Sequence, residues 1–156
     1  MTSVLIVEDE EPLSILLRYN LEAAGFKVIE ARSGEEAERA ARATPPDLIL
    51  LDWILPGLSG IELCRRLRLR ADTRHIPILL LTAKTEAHDC LRGLEAGADD
   101  FIVKPFSFCE VLGRMHLALD AHGLGRRKGQ PRPADYAASR DAAISLVNVF
   151  VEASSA

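Results

Sequence analysis

The chain has 156 residues and a net charge of -4, and 48% of its residues are apolar while 5% are aromatic. This composition provides for one compact core built from aliphatic side chains. The sequence contains no apolar run of the ~20 residues that a membrane span needs, which excludes a membrane protein. Three scattered cysteines and the lack of a secretory segment predict a cytoplasmic protein with free thiols.

Five short apolar runs, rich in β-branched residues, predict strands at residues 4–7, 26–29, 48–51, 78–81 and 101–103. The segments between them have helical spacing of apolar residues. Ser33 and Ser107 each precede a glutamate by three residues, which is the pattern of a helix-capping box. Because strands and helices alternate, the sequence predicts an α/β fold, a doubly wound five-stranded parallel sheet with helices on both faces.

This alternating pattern ends near residue 121, so we expect one domain over residues 1–121. Residues 122–133 are rich in glycine, proline and basic side chains, which predicts a linker. Residues 134–156 form a short tail that suits one helix. The stretch 147–151 also suits a strand, and the sequence leaves both structures open.

Polar side chains stand where the predicted strands end. Glu8 and Asp9 follow the first strand, Asp52 the third, Thr82 the fourth and Lys104 the fifth. In a doubly wound sheet, the ligand site lies beyond the carboxyl ends of the strands, so these groups should meet there. Each alone has an ordinary interpretation, as a helix-entry acid, a strand-end cap or a solvated lysine. Together they indicate an all-oxygen site for Mg²⁺ and a carboxylate nucleophile at Asp52.

Five short segments occur in a familiar order along residues 3–120. The chain resembles the receiver domain of bacterial response regulators of the OmpR/PhoB class, and within it the phosphate-regulon regulators, in Glu8-Asp9, residues 50–57, Leu81-Thr82-Ala83, residues 97–100 and Lys104-Pro105-Phe106. The resemblance implies a flavodoxin-like (CheY-like) strand order of 2-1-3-4-5. It also implies two-component signal transduction, in which a sensor histidine kinase or a phosphotransfer protein supplies the phosphoryl group.

The resemblance assigns a role to each residue of the acidic site. It implies that Asp52 is the phosphoacceptor, in a chain that assists its own phosphorylation and dephosphorylation and is not otherwise an enzyme. Asp9 and Asp52 would bind Mg²⁺ directly, Glu8 largely through water, and the backbone carbonyl of Ile54 would complete the metal site.

The resemblance also implies a conformational switch. Thr82 and Lys104 would sense the phosphoryl group, and Phe101 stands at the aromatic switch position, where many relatives carry tyrosine. A cis peptide bond is expected at Lys104-Pro105. Without a hydroxyl, Phe101 would respond by packing alone.

Two other functions that use the same kind of sheet are disfavoured. A flavin mononucleotide carrier needs a phosphate-binding loop after its first strand, but residues 8–12 of this chain are mostly acidic and would repel phosphate. A dehalogenase-type phosphatase carries a second aspartate two residues after its nucleophile, where this chain has Ile54. A non-phosphorylated interaction module and the receiver part of a truncated DNA-binding regulator remain as alternatives.

Phosphorylated relatives dimerise through the fourth helix, fifth strand and fifth helix by charge pairs. The chain retains part of this set: Glu95, Asp99, Asp100, Glu110 and Arg114. Cys90 and His116 stand where close relatives have basic residues, which predicts a weaker or pH-sensitive homodimer. Direct DNA binding is not expected, since the body of the chain is acidic and the residues after Asp120 are too few for a winged-helix effector domain.

Overall fold

The computed structural model describes residues 1–83 and 90–122, without the side chains of residues 90 and 91. Its strands form one parallel sheet in the order β2-β1-β3-β4-β5. They are β1 (Ser3–Val7), β2 (Lys27–Ala31), β3 (Leu48–Asp52), β4 (Ile78–Thr82) and β5 (Asp100–Val103). The predicted fold class and strand order are confirmed.

Five helices connect and follow the strands: α1 (Glu11–Ala23), α2 (Gly34–Ala43), α3 (Gly60–Leu69), α4 (Cys90–Glu95) and α5 (Phe108–Ala121). The hydroxyls of Ser33 and Ser107 accept the amide hydrogens of the glutamates three residues later, as the capping pattern predicts. Ser59 caps α3 in the same way, at 3.2 Å from the Glu62 nitrogen. These caps satisfy amides that have no partner inside the helix and so fix where each helix begins.

The core lies in two layers, one on each face of the sheet. Alternate residues of β1 point to opposite faces, so Val4 and Ile6 pack with the apolar side of α1 and α5, while Leu5 and Val7 pack with α2 and α3. Strands β3 and β4 are buried along their whole length. Helices on both faces account for these continuous apolar runs.

The element boundaries differ slightly from the predicted ones. β2 begins after Phe26, which is buried just before the strand, and Asp52 and Thr82 are the last residues of their strands rather than the first loop residues. α5 ends at Ala121. Apart from His122, the predicted linker over residues 122–133 and the tail over residues 134–156 lie outside the described residues. None of the helices in residues 1–83 and 90–122 has the length and apolar character that a membrane crossing requires.

A network of charged side chains joins the amino ends of β4 and β5 to α3. The Arg68 guanidinium donates to the carbonyls of Gly97 (2.7 Å), Arg74 (3.0 Å) and Ile76 (2.5 Å) and to the Asp99 carboxylate (2.8 Å). Asp99 also accepts the Ile78 amide and lies 2.8 Å from Nε2 of His122, just after α5. This end of the sheet is therefore tied together by hydrogen-bonded charges.

Candidate functional site

The carboxyl ends of β1 and β3 bring three acids together. The two strands are paired, with Val7 beside Leu51, so Glu8 and Asp9 emerge next to Asp52. Oxygens of the three carboxylates lie within 4.8 Å of one another. Glu8 and Asp52 are buried and Asp9 is exposed, which leaves the cluster open on one side.

Lys104 reaches this cluster from the end of β5. Its backbone nitrogen donates to the Thr82 carbonyl, and the Lys104-Pro105 bond is cis, as predicted. Its Nζ lies 3.3 Å from Oδ2 of Asp52 and 3.8 Å from Oε2 of Glu8. We call these four residues, Glu8, Asp9, Asp52 and Lys104, the acidic site.

Burial is the main cause of the raised pKa values of the two buried acids, Glu8 and Asp52. Desolvation of Glu8, which is 1% exposed, and the charge of Asp52 raise the pKa of Glu8 to about 9. Burial also raises the pKa of Asp52, but the nearby Lys104 ammonium opposes that shift. Burial alone would lower the pKa of Lys104, yet the charges of Asp52 and Glu8 outweigh it and raise that pKa. At neutral pH, Glu8 therefore holds a proton, and the Lys104 ammonium lies beside Asp52 at 3.3 Å.

The acidic site has more acceptor capacity than the described residues satisfy. Oε1 of Glu8 accepts the Glu10 amide at 3.1 Å, whereas Oε2, although buried, accepts no hydrogen bond within the described part of the chain. A buried carboxylate oxygen in this state is costly unless a cation or a proton compensates it. Clustered oxygen donors of this kind fit Mg²⁺, which binds carboxylates, carbonyls and water.

The β3–α3 loop, residues 53–59, continues directly from Asp52. The Ile54 amide donates to Oδ1 of Asp52 at 3.2 Å, so the loop backbone orients the carboxylate. The Trp53 amide donates to the Leu81 carbonyl, and its half-buried ring lies against α4, where a Cβ atom at Gly93 would be 3.1 Å from Cζ3 of the indole. Asp52 is thus joined through its neighbour to a helix on the sheet surface.

Thr82 and Phe101 lie on the neighbouring strands β4 and β5, and the Thr82 carbonyl accepts the Lys104 amide. Thr82 is buried at the end of β4, and its hydroxyl donates to the Ala83 carbonyl at 3.2 Å. Phe101 is half-buried on β5, paired with Leu80, and packs on the same core layer as Trp53. Thr82 therefore lies on the strand next to that of Asp52, and Phe101 lies on β5, the edge strand beyond it.

The sequence matches the family model described as the response regulator receiver domain over residues 4–116. The chain belongs to the response-regulator receiver family. Receiver domains act in phosphorylation-based, two-component signalling, they serve as phosphoacceptors, and they bind Mg²⁺ in an acidic pocket. The resemblance inferred from the sequence is confirmed.

Two curated relatives and one solved structure show the extent of the match. The Phosphate regulon transcriptional regulatory protein PhoB of Rhizobium meliloti is 54% identical over 119 residues, which is 76% of this chain and 52% of the relative. The DNA-binding response regulator MtrA of Mycolicibacterium smegmatis is 38% identical over 143 residues, 92% of this chain and 58% of the relative. A putative response regulator from Chloroflexus aurantiacus has a TM-score of 0.74 at 38% identity, covering 76% of this chain and 98% of that one. The receiver chain thus spans about half the length of these curated relatives.

The residues predicted for a receiver dimer are partly engaged within the chain itself. Asp99 pairs with Arg68 and His122, and Asp100 pairs with Arg114 at 2.7 Å. Glu95 and Glu110 are exposed. The side chain of Cys90 is outside the described residues.

The expectation that His116 contributes to this dimer surface is wrong. Its side chain is 4% exposed and packs in the core layer beneath α5, with its ring centroid 6.2 Å from that of Phe26. The position faces inward because Val111, Leu112 and Met115 occupy the same buried side of the helix. His116 therefore cannot exchange charge with a partner across that surface in this conformation.

One contact to the β3–α3 loop has no counterpart among the predicted site residues. Oε1 of Glu35, in the first turn of α2, accepts the Leu58 amide at 3.2 Å. In the sequence, Glu35 is an ordinary acid at a helix start, and its partner is 23 residues away. No local pattern identifies such a pair.

Proposed function

We propose that this receiver accepts a phosphoryl group on the carboxylate of Asp52. The observation that carries the proposal is the position of Asp52, 5% exposed at the end of a central strand and 3.3 Å from the Lys104 ammonium. Burying acids beside one lysine costs desolvation free energy, so such a cluster is a poor device for stability and a good one for chemistry. A carboxylate so positioned can act as a nucleophile towards phosphorus.

Glu8, Asp9 and Asp52 would hold a Mg²⁺ ion together with the backbone carbonyl of Ile54, with Glu8 acting largely through water. The support for this set is the shared acceptor-rich edge and the unsatisfied Oε2 of Glu8. When bound, Mg²⁺ offsets negative charge on the transferring phosphoryl group.

In the reaction, an oxygen of Asp52 forms a bond to phosphorus while the bond between phosphorus and the donor breaks. Lys104, whose pKa is raised, stays protonated at neutral pH and pairs with the charge that builds up on the phosphoryl oxygens. The Ile54 amide holds Oδ1 of Asp52, which leaves Oδ2 on the side of Lys104. The chain assists its own phosphorylation and dephosphorylation in this way, and it is not an enzyme for outside substrates.

Thr82 and Phe101 would convert this event into a change at the surface. We propose that the Thr82 hydroxyl exchanges the Ala83 carbonyl for a phosphoryl oxygen, and that the ring of Phe101 fills the volume that Thr82 vacates. Their positions on the neighbouring strands β4 and β5 support this coupling. Since Phe101 has no hydroxyl, the change relies on packing alone.

We propose that the chain acts in the cytoplasm, with a sensor histidine kinase or a phosphotransfer protein as its phosphoryl donor and a homodimer as its output. The dimer would use α4, β5 and α5, and the described residues that would contribute to it are Glu95, Asp99, Asp100, Glu110 and Arg114. Exposed acids and a basic residue on one surface favour pairing with a second copy.

A second candidate is the receiver part of a DNA-binding regulator. The observation that favours it is the match to MtrA, which extends over 92% of the chain and therefore past the end of α5. In that case, the DNA contacts would come from residues outside the receiver, whose body is acidic.

The test is to incubate the chain with MgCl₂ and acetyl phosphate and to measure its intact mass. We expect a gain of one phosphoryl group in the parent and none in Asp52→Asn, while Asp72→Asn, an exposed acid paired with Arg70, should behave as the parent does. Beryllofluoride in place of acetyl phosphate, followed by sedimentation, tests the dimer. Labelling of Asp52→Asn, or no Mg²⁺-dependent labelling of the parent, would contradict the proposal and favour a non-phosphorylated interaction module.

A further inference from the structure

The β3–α3 loop connects the proposed phosphoacceptor to α3, and its position bears on the metal site at two points. The Ile54 amide holds Oδ1 of Asp52, and the Ile54 carbonyl is a proposed metal ligand. A displacement of this loop would therefore move two donor oxygens at once. The contacts that hold the loop in place should therefore influence the affinity of the site for Mg²⁺.

The loop is anchored firmly at its start. The Trp53 amide bonds to Leu81 in β4, the Gly60 amide bonds to the Trp53 carbonyl, and Leu55 is buried in the core. On either side of Leu55, the loop is exposed at Ile54, Pro56 and Gly57. This part of the loop depends on contacts from a neighbouring element.

That neighbour is the first turn of α2. A Cβ atom placed at Gly34 would lie 2.7 Å from the Leu58 carbonyl oxygen, so the helix backbone and the loop are already in contact. Oε1 of Glu35 accepts the Leu58 amide at 3.2 Å. Gly57 has a φ of +72°, and a Cβ there would lie 3.0 Å from the same Glu35 oxygen, so the carboxylate lies across the turn of the loop.

We propose that Glu35 is a positioning residue for Mg²⁺ binding, acting through Leu58 and the loop backbone on Ile54 and Asp52. The inference rests on the proposed function, since it assumes the metal site. Glu35 itself is an exposed residue of α2 that contacts the loop at Leu58, and it is not counted with the ligands. Its contribution is to reduce the number of loop conformations that the ion has to select from.

Charge and hydrogen bonding can be separated at this residue. Glu35→Ala removes both the negative charge and the acceptor for the Leu58 amide, whereas Glu35→Gln removes the charge and keeps an acceptor oxygen. Glu38→Ala is the matched control, because it removes one acid from the same helix and, within the described residues, breaks an ion pair with Arg66 at 3.8 Å.

The experiment titrates each full-length variant with MgCl₂ by calorimetry and measures hydrogen exchange of the Leu58 amide. We expect Glu35→Ala to weaken Mg²⁺ binding by about threefold to tenfold and to speed exchange at Leu58. Glu35→Gln and Glu38→Ala should both stay within about twofold of the parent, because an exposed charge is screened at this distance.

Each other outcome overturns the inference in a distinguishable way. If Leu58 exchanges faster in Glu35→Ala but Mg²⁺ affinity is unchanged, the contact holds the loop without governing the metal. Equal losses in Glu35→Ala, Glu35→Gln and Glu38→Ala would mean that charge alone matters. If the parent binds no Mg²⁺, the metal site fails and the inference fails with it, whereas normal binding by the parent with no effect at Glu35 removes the inference alone.

Discussion

The two ends of the parallel sheet differ in how fully their charged side chains are paired and hydrogen-bonded. At the amino end, Arg68 and Asp99 satisfy each other and several backbone groups, so each charge has well-placed partners. At the carboxyl end, Glu8 and Asp52 are buried beside one ammonium, and an oxygen of Glu8 accepts no hydrogen bond within the described residues.

The charged groups at the amino end stabilise the fold, whereas those at the carboxyl end are suited to binding a ligand. A partly buried ion pair stabilises only when its remaining donors and acceptors are satisfied, and the Arg68 network meets that condition. The acidic site does not, so it should cost stability until a cation or a proton arrives. Three measurements test this difference between the two ends of the sheet.

The largest effect should come from Arg68→Ala. The change removes the Arg68 donor from the carbonyls of Gly97 and Ile76, and it removes one of several partners of the Asp99 carboxylate. We therefore expect the free energy of unfolding to fall by about 3 kcal/mol. Urea denaturation measures it. Arg66→Ala is the control, since that side chain is 50% exposed and makes ion pairs of 3.8 Å, which predicts a change within about 0.5 kcal/mol. Equal effects of the two variants would remove the distinction between the two ends.

A second effect is the pH dependence of the metal-free protein. Folded Glu8 keeps its proton up to about pH 9, whereas the unfolded chain releases it near its ordinary pKa of 4.5, so the folded state holds more protons between these values. Raising the pH within this window should therefore lower the free energy of unfolding, by at most about 1.4 kcal/mol per pH unit for one proton.

The measurement is urea denaturation from pH 6 to pH 8.5 with and without MgCl₂. Glu8→Gln should flatten the dependence but not abolish it, because the raised pKa of Asp52 acts in the same direction. Mg²⁺ should oppose the loss at high pH by stabilising the ionised acids. If Glu8→Gln and the metal-free parent had the same pH dependence, Glu8 would already be ionised in the folded protein over this range.

The smallest effect should come from His122, at the margin of the Arg68 network. Asp99 keeps Arg68 and the Ile78 amide when His122 is removed, so His122→Ala should lower the free energy of unfolding by about 0.5 kcal/mol. Urea denaturation of the variant and the parent measures this change in the free energy of unfolding, and His75→Ala, which alters a nearby histidine, is the control. A loss as large as that of Arg68→Ala would mean that His122, rather than Arg68, holds this end together.

The sequence predicts the parallel sheet and the residues at the strand ends well, because these features follow local rules, whereas the strand order is implied by the resemblance to receiver domains. Apolar runs identify β3 and β4, serine and glutamate three residues apart identify the starts of α2 and α5, and the strand-end rule brings Glu8, Asp52 and Lys104 to one edge.

What the sequence does not predict depends on pairs that meet only in the folded chain. Arg68 and Asp99 are 31 residues apart, and Glu35 and Leu58 are 23 apart, so neither pair has a local pattern. The basic residue at the position of His116 in relatives predicts a surface position for this side chain. The phase of the apolar residues along α5 turns it inward instead.

Trp53 is the single tryptophan of the chain, so the indole fluorescence of the protein comes from one position. Its backbone follows Asp52 directly, and its ring lies against Gly93 in α4. Indole emission depends on the polarity around the ring, so a change of charge at Asp52 and a shift of α4 would both alter the same signal. The fluorescence of Trp53 is therefore an intrinsic probe of both the charge at Asp52 and the position of α4.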